Sequence, residues 1–419
     1  MSNTKSNFGK WGWSMIIYCA ISYYISAALS TDTLNYYPAV FSALRGWGDG
    51  AADTMNTMAG LGGWIGIIAA VIFSVLAIRV GSRWMSVAGN IVTGIFCFIF
   101  ALTQSFPVFC AMIILMVVVS GGVQVSTVPN NLMNVWFPKK KGLALGWASM
   151  GLPLCTATII LIMNAFVAKR GPEGIVTFYI VFGVINILFG IVSIFWCKNT
   201  PEEVGCTPDN ETVDPEKARR QKEADERAAA ALTTKAVLTD KNTWLIGFGL
   251  GFMWMTTLGL VSNFVPRLSM SGVDPDLAIK MLTFAAVAGI IGSYIWGLID
   301  QKFTTRVASM IYGVWYLIAL LLMIFMNGSM PMVVLAALFV GVGIGGIGNL
   351  IPSMIGTCFG RFGFLQANKI VTPINTVVRC SAFIVIGAVG AANLHVAYWI
   401  FFVLNLAGIV MMFFIKPKA

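Results

Sequence analysis

Two charged residues stand where the surrounding sequence is otherwise almost wholly apolar: Arg379 in TPINTVVRCSAF and Asp32 in ALSTDTLNYYP. A guanidinium presents a planar fork of donors that matches a carboxylate or phosphate, and it stays charged at any physiological pH. Arg379 is therefore a candidate for gripping an anionic group. The competing reading has it bonded to helix-end carbonyls or paired with Asp32. For Asp32 four readings stand: a carboxylate that exchanges a proton when its surroundings dry, a partner for Arg379, a ligand for a cationic group, or a solvated acid at the outer mouth. Asn375, one helical turn before Arg379 on the same face, is the foremost neutral candidate beside it.

The segments that hold these residues must be membrane helices. Of 419 residues, 58% are hydrophobic and 11% charged, and the mean hydropathy is +0.83, whereas soluble domains carry about 25% charged residues. The apolar runs are about 20 residues long, which is what a helix needs to cross about 30 Å of hydrocarbon. Helices and closed barrels alone satisfy every backbone group in lipid, and barrel strands would alternate rather than run unbroken. The expected fold class is an all-α membrane protein with twelve transmembrane helices in two pseudo-symmetric six-helix bundles. The spans are placed at 11–44, 53–78, 84–104, 107–135, 142–168, 174–197, 242–266, 278–299, 304–327, 331–357, 367–391 and 396–415. No small-residue cleavage site follows the first run, which is expected to be retained rather than removed as a signal peptide.

The net charge of +10 reads as a topology signal rather than a nucleic-acid footprint. On these spans one side carries Lys5, Lys10, Arg79, Arg83, Lys139, Lys140, Lys141, Lys302, Arg306, Arg361, Lys369, Lys416 and Lys418, with eight more basic residues between Lys198 and Lys241. The other side holds Arg45, Lys169, Arg170, Arg267 and Lys280. The positive-inside rule then places both termini in the cytoplasm. Most of the eight cysteines (Cys19, Cys97, Cys110, Cys155 and Cys380 among them) fall within spans without a CxxC pair, and the single histidine is His395, so neither a metal site nor a cofactor is expected.

Between Lys198 and Lys241 the composition turns polar, and ten of the seventeen acids concentrate there, so the segment reads as a linker. Residues 1–198 and 242–419 are then two six-helix halves, with 199–241 a cytoplasmic loop whose middle, Asp214 to Leu232, has helix-forming composition. The halves look duplicated. LNYYPAV (Leu34 to Val40) answers SNFVPRL (Ser262 to Leu268), Phe137-Pro138-Lys139 answers Phe359-Gly360-Arg361, and Pro129 answers Pro352, at offsets of 222 to 228. Paired repeats with a site between them are the architecture of secondary transporters.

The loop SVLAIRVGSRW (Ser74 to Trp84) resembles the cytoplasmic motif of the major facilitator superfamily, with Arg79, Gly81 and Arg83 in place and Ser74 and Ile78 where glycine and aspartate are usual. Its second copy, WGLIDQKFTTR, keeps the acid as Asp300 and a base as Arg306. WFPKKKGLALG (Trp136 to Gly146) and TPEEVG (Thr200 to Gly205) are similar to loops of the branch that contains oxalate/formate antiporters and monocarboxylate carriers. The resemblance implies a monomeric carrier of a small molecule in the cytoplasmic or inner membrane, working by alternating access. It also implies that helices 1 and 11 line a central cavity, and that a basic residue on helix 11, here Arg379, binds the anion.

Further candidates for substrate contact are Gln124, Asn130, Asn131 and Asn134 in the fourth span, Asn349 and Ser353 in the tenth, and Asn56, Trp64, Trp254, Asn263, Tyr294 and Trp296. For each, helix packing or interfacial anchoring is the competing role. The glycine runs GVGIGGIG and GLGGWIG lie inside apolar spans and lack the lysine and the strand-to-helix setting of a nucleotide loop. An enzyme would need a cluster of histidine, cysteine or acid near the membrane face, and the chain has one histidine and few clustered acids outside its central loop; a receptor would need a sizeable soluble domain, and none is present. Proton symport or exchange of a small organic anion is the leading expectation. A proton-coupled carrier of a zwitterionic or cationic solute using Asp32 is the alternative.

Overall fold

The computed structural model describes residues 8–30, 32–48, 50–390 and 393–417, without the side chains of Ser30, Asn35 and Pro215; Lys5 and Lys418 of the charge count lie outside the described residues. Among the described residues, ten runs of helix are long and apolar enough to cross a bilayer. Two of them, Ala51–Leu102 with 52 residues and Lys141–Trp196 with 56, are twice as long as one crossing requires at about 1.5 Å per residue. Both are interrupted midway. Gly81 adopts φ 82° inside α3 (Ala51–Leu102), and a 3-10 turn at Gly171–Glu173 separates α7 (Gly151–Arg170) from α8 (Gly174–Trp196). The ten runs thus supply twelve crossings.

The first span differs from its expected course. α1 (Gly9–Ser30) ends well before residue 44, a 3-10 turn covers Asp32–Asn35, and α2 (Tyr37–Arg45) starts afresh. Pro38 lacks an N–H and is best accommodated in a first helical turn, which is where α2 places it. Thr33 donates its hydroxyl to the carbonyl of Ala28 at 2.6 Å, closing the end of α1. The fourth crossing comprises α4 (Phe106–Val119), a wide-turned π segment at Ser120–Thr127 and α5 (Val128–Trp136). α6 (Lys141–Ser149) precedes α7, and the linker forms α9 (Pro215–Ala230), N-capped by Asp214, and α10 (Thr234–Thr239). The expected span 242–266 is α11 (Lys241–Ser262) followed by the short α12 (Phe264–Ser269). The remaining crossings are α13 (Pro275–Phe303), α14 (Thr305–Ile324), α15 (Met330–Phe359), α16 (Phe364–Val389) and α17 (Leu394–Phe413).

The chain forms two compact units, one of Met1–Val135 with Leu154–Asn210 and the other of Trp136–Pro153 with Glu211–Ala419. In the first, α3 packs against α4 and α8, and α1 against the π segment. Its interior is polar at one level. The Tyr18 hydroxyl meets those of Ser86 and Ser193 at 2.5 and 2.7 Å, and Gln124 donates to Asn90 at 2.7 Å and Asn186 at 3.4 Å. In the second unit α13 packs on α15, α11 on α16 and α17, and α6 on α13. A Cβ on Gly146 of α6 would sit 2.9 Å from the Ser293 carbonyl, so glycine permits this helix contact.

The two units repeat one detail at the sequence offset noted above. Arg45, ending α2, donates Nη2 to the carbonyl of Ala101 at 2.7 Å, one residue from the end of α3. Arg267 of α12 donates Nη2 to Ile324 at 3.0 Å, the last residue of α14. Each guanidinium supplies a cation to the negative end of a helix. Burial pulls both below the usual arginine range. Arg267→Ala removes a charge-assisted bond of about 1.5–3 kcal/mol. Its expected signature is a lowered unfolding midpoint in detergent, and an unchanged midpoint would deny the cap a stabilising role.

Candidate functional site

Arg379 lies in the second unit, half-buried on α16, with Cζ 4.1 Å from the centroid of the Trp254 ring. The close packing of α11 on α16 brings them together. A Cβ on Gly247 would come within 2.7 Å of Ile374, and one on Gly251 within 2.9 Å of Val378. Trp254 follows on α11, one turn past Gly251. Asn375 fastens the same pair of helices, its amide nitrogen donating to the carbonyls of Ile246 and Gly247 at 3.3 and 3.2 Å.

Arg379 has no carboxylate partner among the described residues of its unit, and its Nε is buried without a hydrogen-bond partner. The helix-end carbonyl reading thus finds no such bond among them. The Oδ1 of Asn375, one turn away, is likewise buried and unpartnered. A cation over an aromatic face is attracted by the ring quadrupole. Trp254 holds the guanidinium in place by its ring face, and the Cys380 thiol is within hydrogen-bonding reach of it.

The other candidates of this unit are engaged in packing. Asn349 donates to the Ser293 carbonyl at 2.9 Å and accepts from the Ser149 hydroxyl, tying α15 to α13 and α6. Tyr294 lies 4.8 Å, ring to ring, from Trp147 of α6. The Trp296 indole donates to the Val342 carbonyl at 3.0 Å, and Asn263 turns back onto Gly259 at 3.2 Å.

Asp32 belongs to the first unit and sits where the 3-10 turn begins, at the far end of the 22-residue α1 from Gly9. It accepts from the Thr156 hydroxyl at 3.0 Å, and the Cys155 thiol is within hydrogen-bonding reach. Both partners are on α7, and Tyr24, two turns earlier on α1, bonds Thr158 of the same helix at 2.9 Å. Gln124 is buried in the interior network. Asn131 donates to Ser82 at 2.9 Å, Asn130 accepts from Tyr23 at 2.5 Å, and Asn134 donates to the Asn130 carbonyl at 2.8 Å. Asn56 and Trp64 are exposed.

The Major Facilitator Superfamily model matches residues 11–385. This chain belongs to the major facilitator superfamily. Solved structures agree in fold. The proton:xylose symporter XylE, bound to 6-bromo-6-deoxy-D-glucose, superposes with TM-score 0.74 at 13% identity over 97% of this chain and 96% of its own. The human organic anion transporter MFSD10 (TETRAN) gives 0.71 at 12% over 96% and 99%. The superfamily transporter FucP, in the outward conformation, gives 0.70 at 14% over 96% and 99%. No curated protein matches the sequence. The chain is a multi-pass membrane transporter rather than an enzyme.

In this superfamily member the two loop strings singled out from the sequence meet. Arg83 donates its backbone N–H to Asn199 at 2.9 Å, its Nε to the Cys197 carbonyl at 2.6 Å, and its Nη2 to Glu203 of TPEEVG. Gly81 turns the chain into that contact, and a Cβ there would lie 3.1 Å from the Asn199 side chain. Arg79 is exposed. In the second copy the Asp300 carboxylate accepts from Ser353 at 2.5 Å and occupies the space a Cβ of Gly142 would need, at the N-terminus of α6, where a negative charge is favoured. Arg306 donates to the Ile415 carbonyl at 3.3 Å. Asn199 and Glu203 were missed as motif partners because pairing across more than a hundred residues leaves no periodic trace.

Gly81→Ala forces a side chain into a left-handed conformation against Asn199. The expected cost is about 1–3 kcal/mol, visible as a lower unfolding midpoint. Wild-type stability in that variant would remove the need for glycine.

Proposed function

We propose that this transporter is a secondary carrier of a small organic anion, above all a carboxylate, with Arg379 as its anion-binding group. One observation carries the reading: a guanidinium inside a membrane helix, over the ring of Trp254, with no carboxylate partner among the described residues of its unit and a buried Nε left unsatisfied. Charge at membrane depth costs several kcal/mol and marks a working site by default. An arriving carboxylate would supply the missing partner. The strings WFPKKKGLALG and TPEEVG support a place near the oxalate/formate and monocarboxylate branch. The relatives' own substrates carry no weight, since identities of 12–14% speak for the fold alone.

Asp32 is the coupling residue in this reading, exchanging a proton beside Thr156 and Cys155. The halves 1–198 and 242–419 move against each other about the linker 199–241, and the lysine and arginine distribution puts both termini in the cytoplasm. The test is uptake into proteoliposomes of a panel of small carboxylates, zwitterions and amines, with and without a pH gradient. Carboxylates are the expected substrates. Uptake confined to amines or zwitterions would transfer the binding role to Asp32 and end the anion reading.

A further inference from the structure

We propose that the groove between the start of α11 and the end of α17 is a binding site for an anionic phospholipid. The groove encloses about 720 Å³. Its charged rim carries Lys241 and Lys416, and its apolar wall is formed by Trp244, Leu245, Met411 and Phe414. The site is built rather than a chance meeting of surface lysines. Asn242, 6% exposed, clamps the backbone of Lys416 from both sides, donating to its carbonyl at 2.9 Å and accepting its N–H at 3.1 Å. The clamp holds Lys416 against the helix that begins with Lys241.

The Trp244 ring is fixed as well, its indole donating to the Leu238 carbonyl at 2.9 Å. Trp244 nevertheless stays 44% exposed and Phe414 65% exposed. Asp240 also lines the groove, with Oδ1 accepting the Asn242 N–H at 2.9 Å as the N-cap of α11. Two ammonium groups therefore face one carboxylate already used as a cap. Neither lysine forms an ion pair among the described residues.

Position and chemistry together select the occupant. Lys241 opens the membrane span of α11, and Phe414 follows the last residue of the span of α17, so the groove lies at the level where headgroups meet acyl chains. A phosphodiester fits the two ammonium groups, while an acyl chain lies along the aromatic wall. Soluble anions have no use for that wall, and a zwitterionic choline lipid brings a cation to a positive rim. Each lysine near an anionic headgroup contributes about fivefold in affinity, and the pair about 25-fold.

The full-length protein in detergent is offered phosphatidylglycerol and phosphatidylcholine with identical acyl chains, and native mass spectrometry counts the lipid retained. The wild type is expected to retain one phosphatidylglycerol that phosphatidylcholine does not replace. The double variant Lys241→Gln, Lys416→Gln should lose it, with retention falling about 25-fold, while Lys241→Arg, Lys416→Arg keeps it. Equal retention of the two lipids by the wild type, or undiminished phosphatidylglycerol on the glutamine variant, overturns the proposal. Displacement of the lipid by inorganic phosphate alone would overturn the assignment to a lipid, because the apolar wall would then contribute nothing.

Discussion

Arg379→Ala abolishes uptake of the carried anion while the protein still folds and reaches the membrane. The two halves of that expectation have separate physical grounds. Function fails because truncating one side of a desolvated charge pair costs about 2–5 kcal/mol, a loss of about 30-fold to a few thousand-fold in binding. Folding survives because Arg379 has no carboxylate partner among the described residues of its own unit, so its removal leaves no acid stranded among them. What is lost to stability is the contact with Trp254, about 0.5–2 kcal/mol. Arg379→Lys keeps the charge but loses both the planar fork and the guanidinium's contact with the indole face, and its uptake should fall between alanine and wild type. Uptake in radiolabel-loaded proteoliposomes, normalised to protein recovered in monodisperse form, decides the matter. Normal uptake by Arg379→Ala removes Arg379 from the site.

Asp32→Asn should separate the driving force from the carried molecule. The amide can keep the bond from Thr156 that Asp32 now receives at 3.0 Å, yet it neither exchanges a proton nor carries charge. If Asp32 holds the coupling proton, accumulation driven by a pH gradient is lost while counterflow of labelled against unlabelled substrate continues. If Asp32 grips a cationic group on the substrate, both activities fall together. Unaltered accumulation would return Asp32 to the status of a solvated residue at the end of α1. A drop of the pH-gradient-driven component to the passive level is the result expected here, since the amide cannot carry the coupling proton.

The twelve crossings were legible because each is a run of apolar residues of bilayer length, and lipid enforces that pattern one helix at a time. The breaks were less so. Gly81 and the Gly171–Glu173 turn could be placed between runs, but the end of α1 at Ser30 could not, because ALSTDTLNYYP stays apolar enough to extend a helix. The π segment at Ser120–Thr127 went unread although SGGVQVST is rich in glycine and β-branched residues, because such weak helix formers are common in membrane spans. Arg379 stood out as a charge in an apolar run, and Trp254 was among the candidates. Their pairing was not readable, because it depends on how Gly247 and Gly251 let α11 approach α16. Asn375 shows the opposite case. Its spacing from Arg379 was correct, yet its amide donates to the backbone of α11, a partner that no one-dimensional spacing could name.

Binding of the carboxylate selected by the uptake panel, titrated calorimetrically at fixed pH into purified wild type and Arg379→Gln, bears most directly on the anion site. Binding isolates the contact from coupling and turnover, and glutamine preserves length and polarity while removing the cation and its fork. The expected result is a Kd weakened by at least about 30-fold in the variant, with Trp254→Phe, which keeps an aromatic face, close to wild type. Equal affinities for wild type and Arg379→Gln would contradict the assignment of Arg379 as the group that holds the anion.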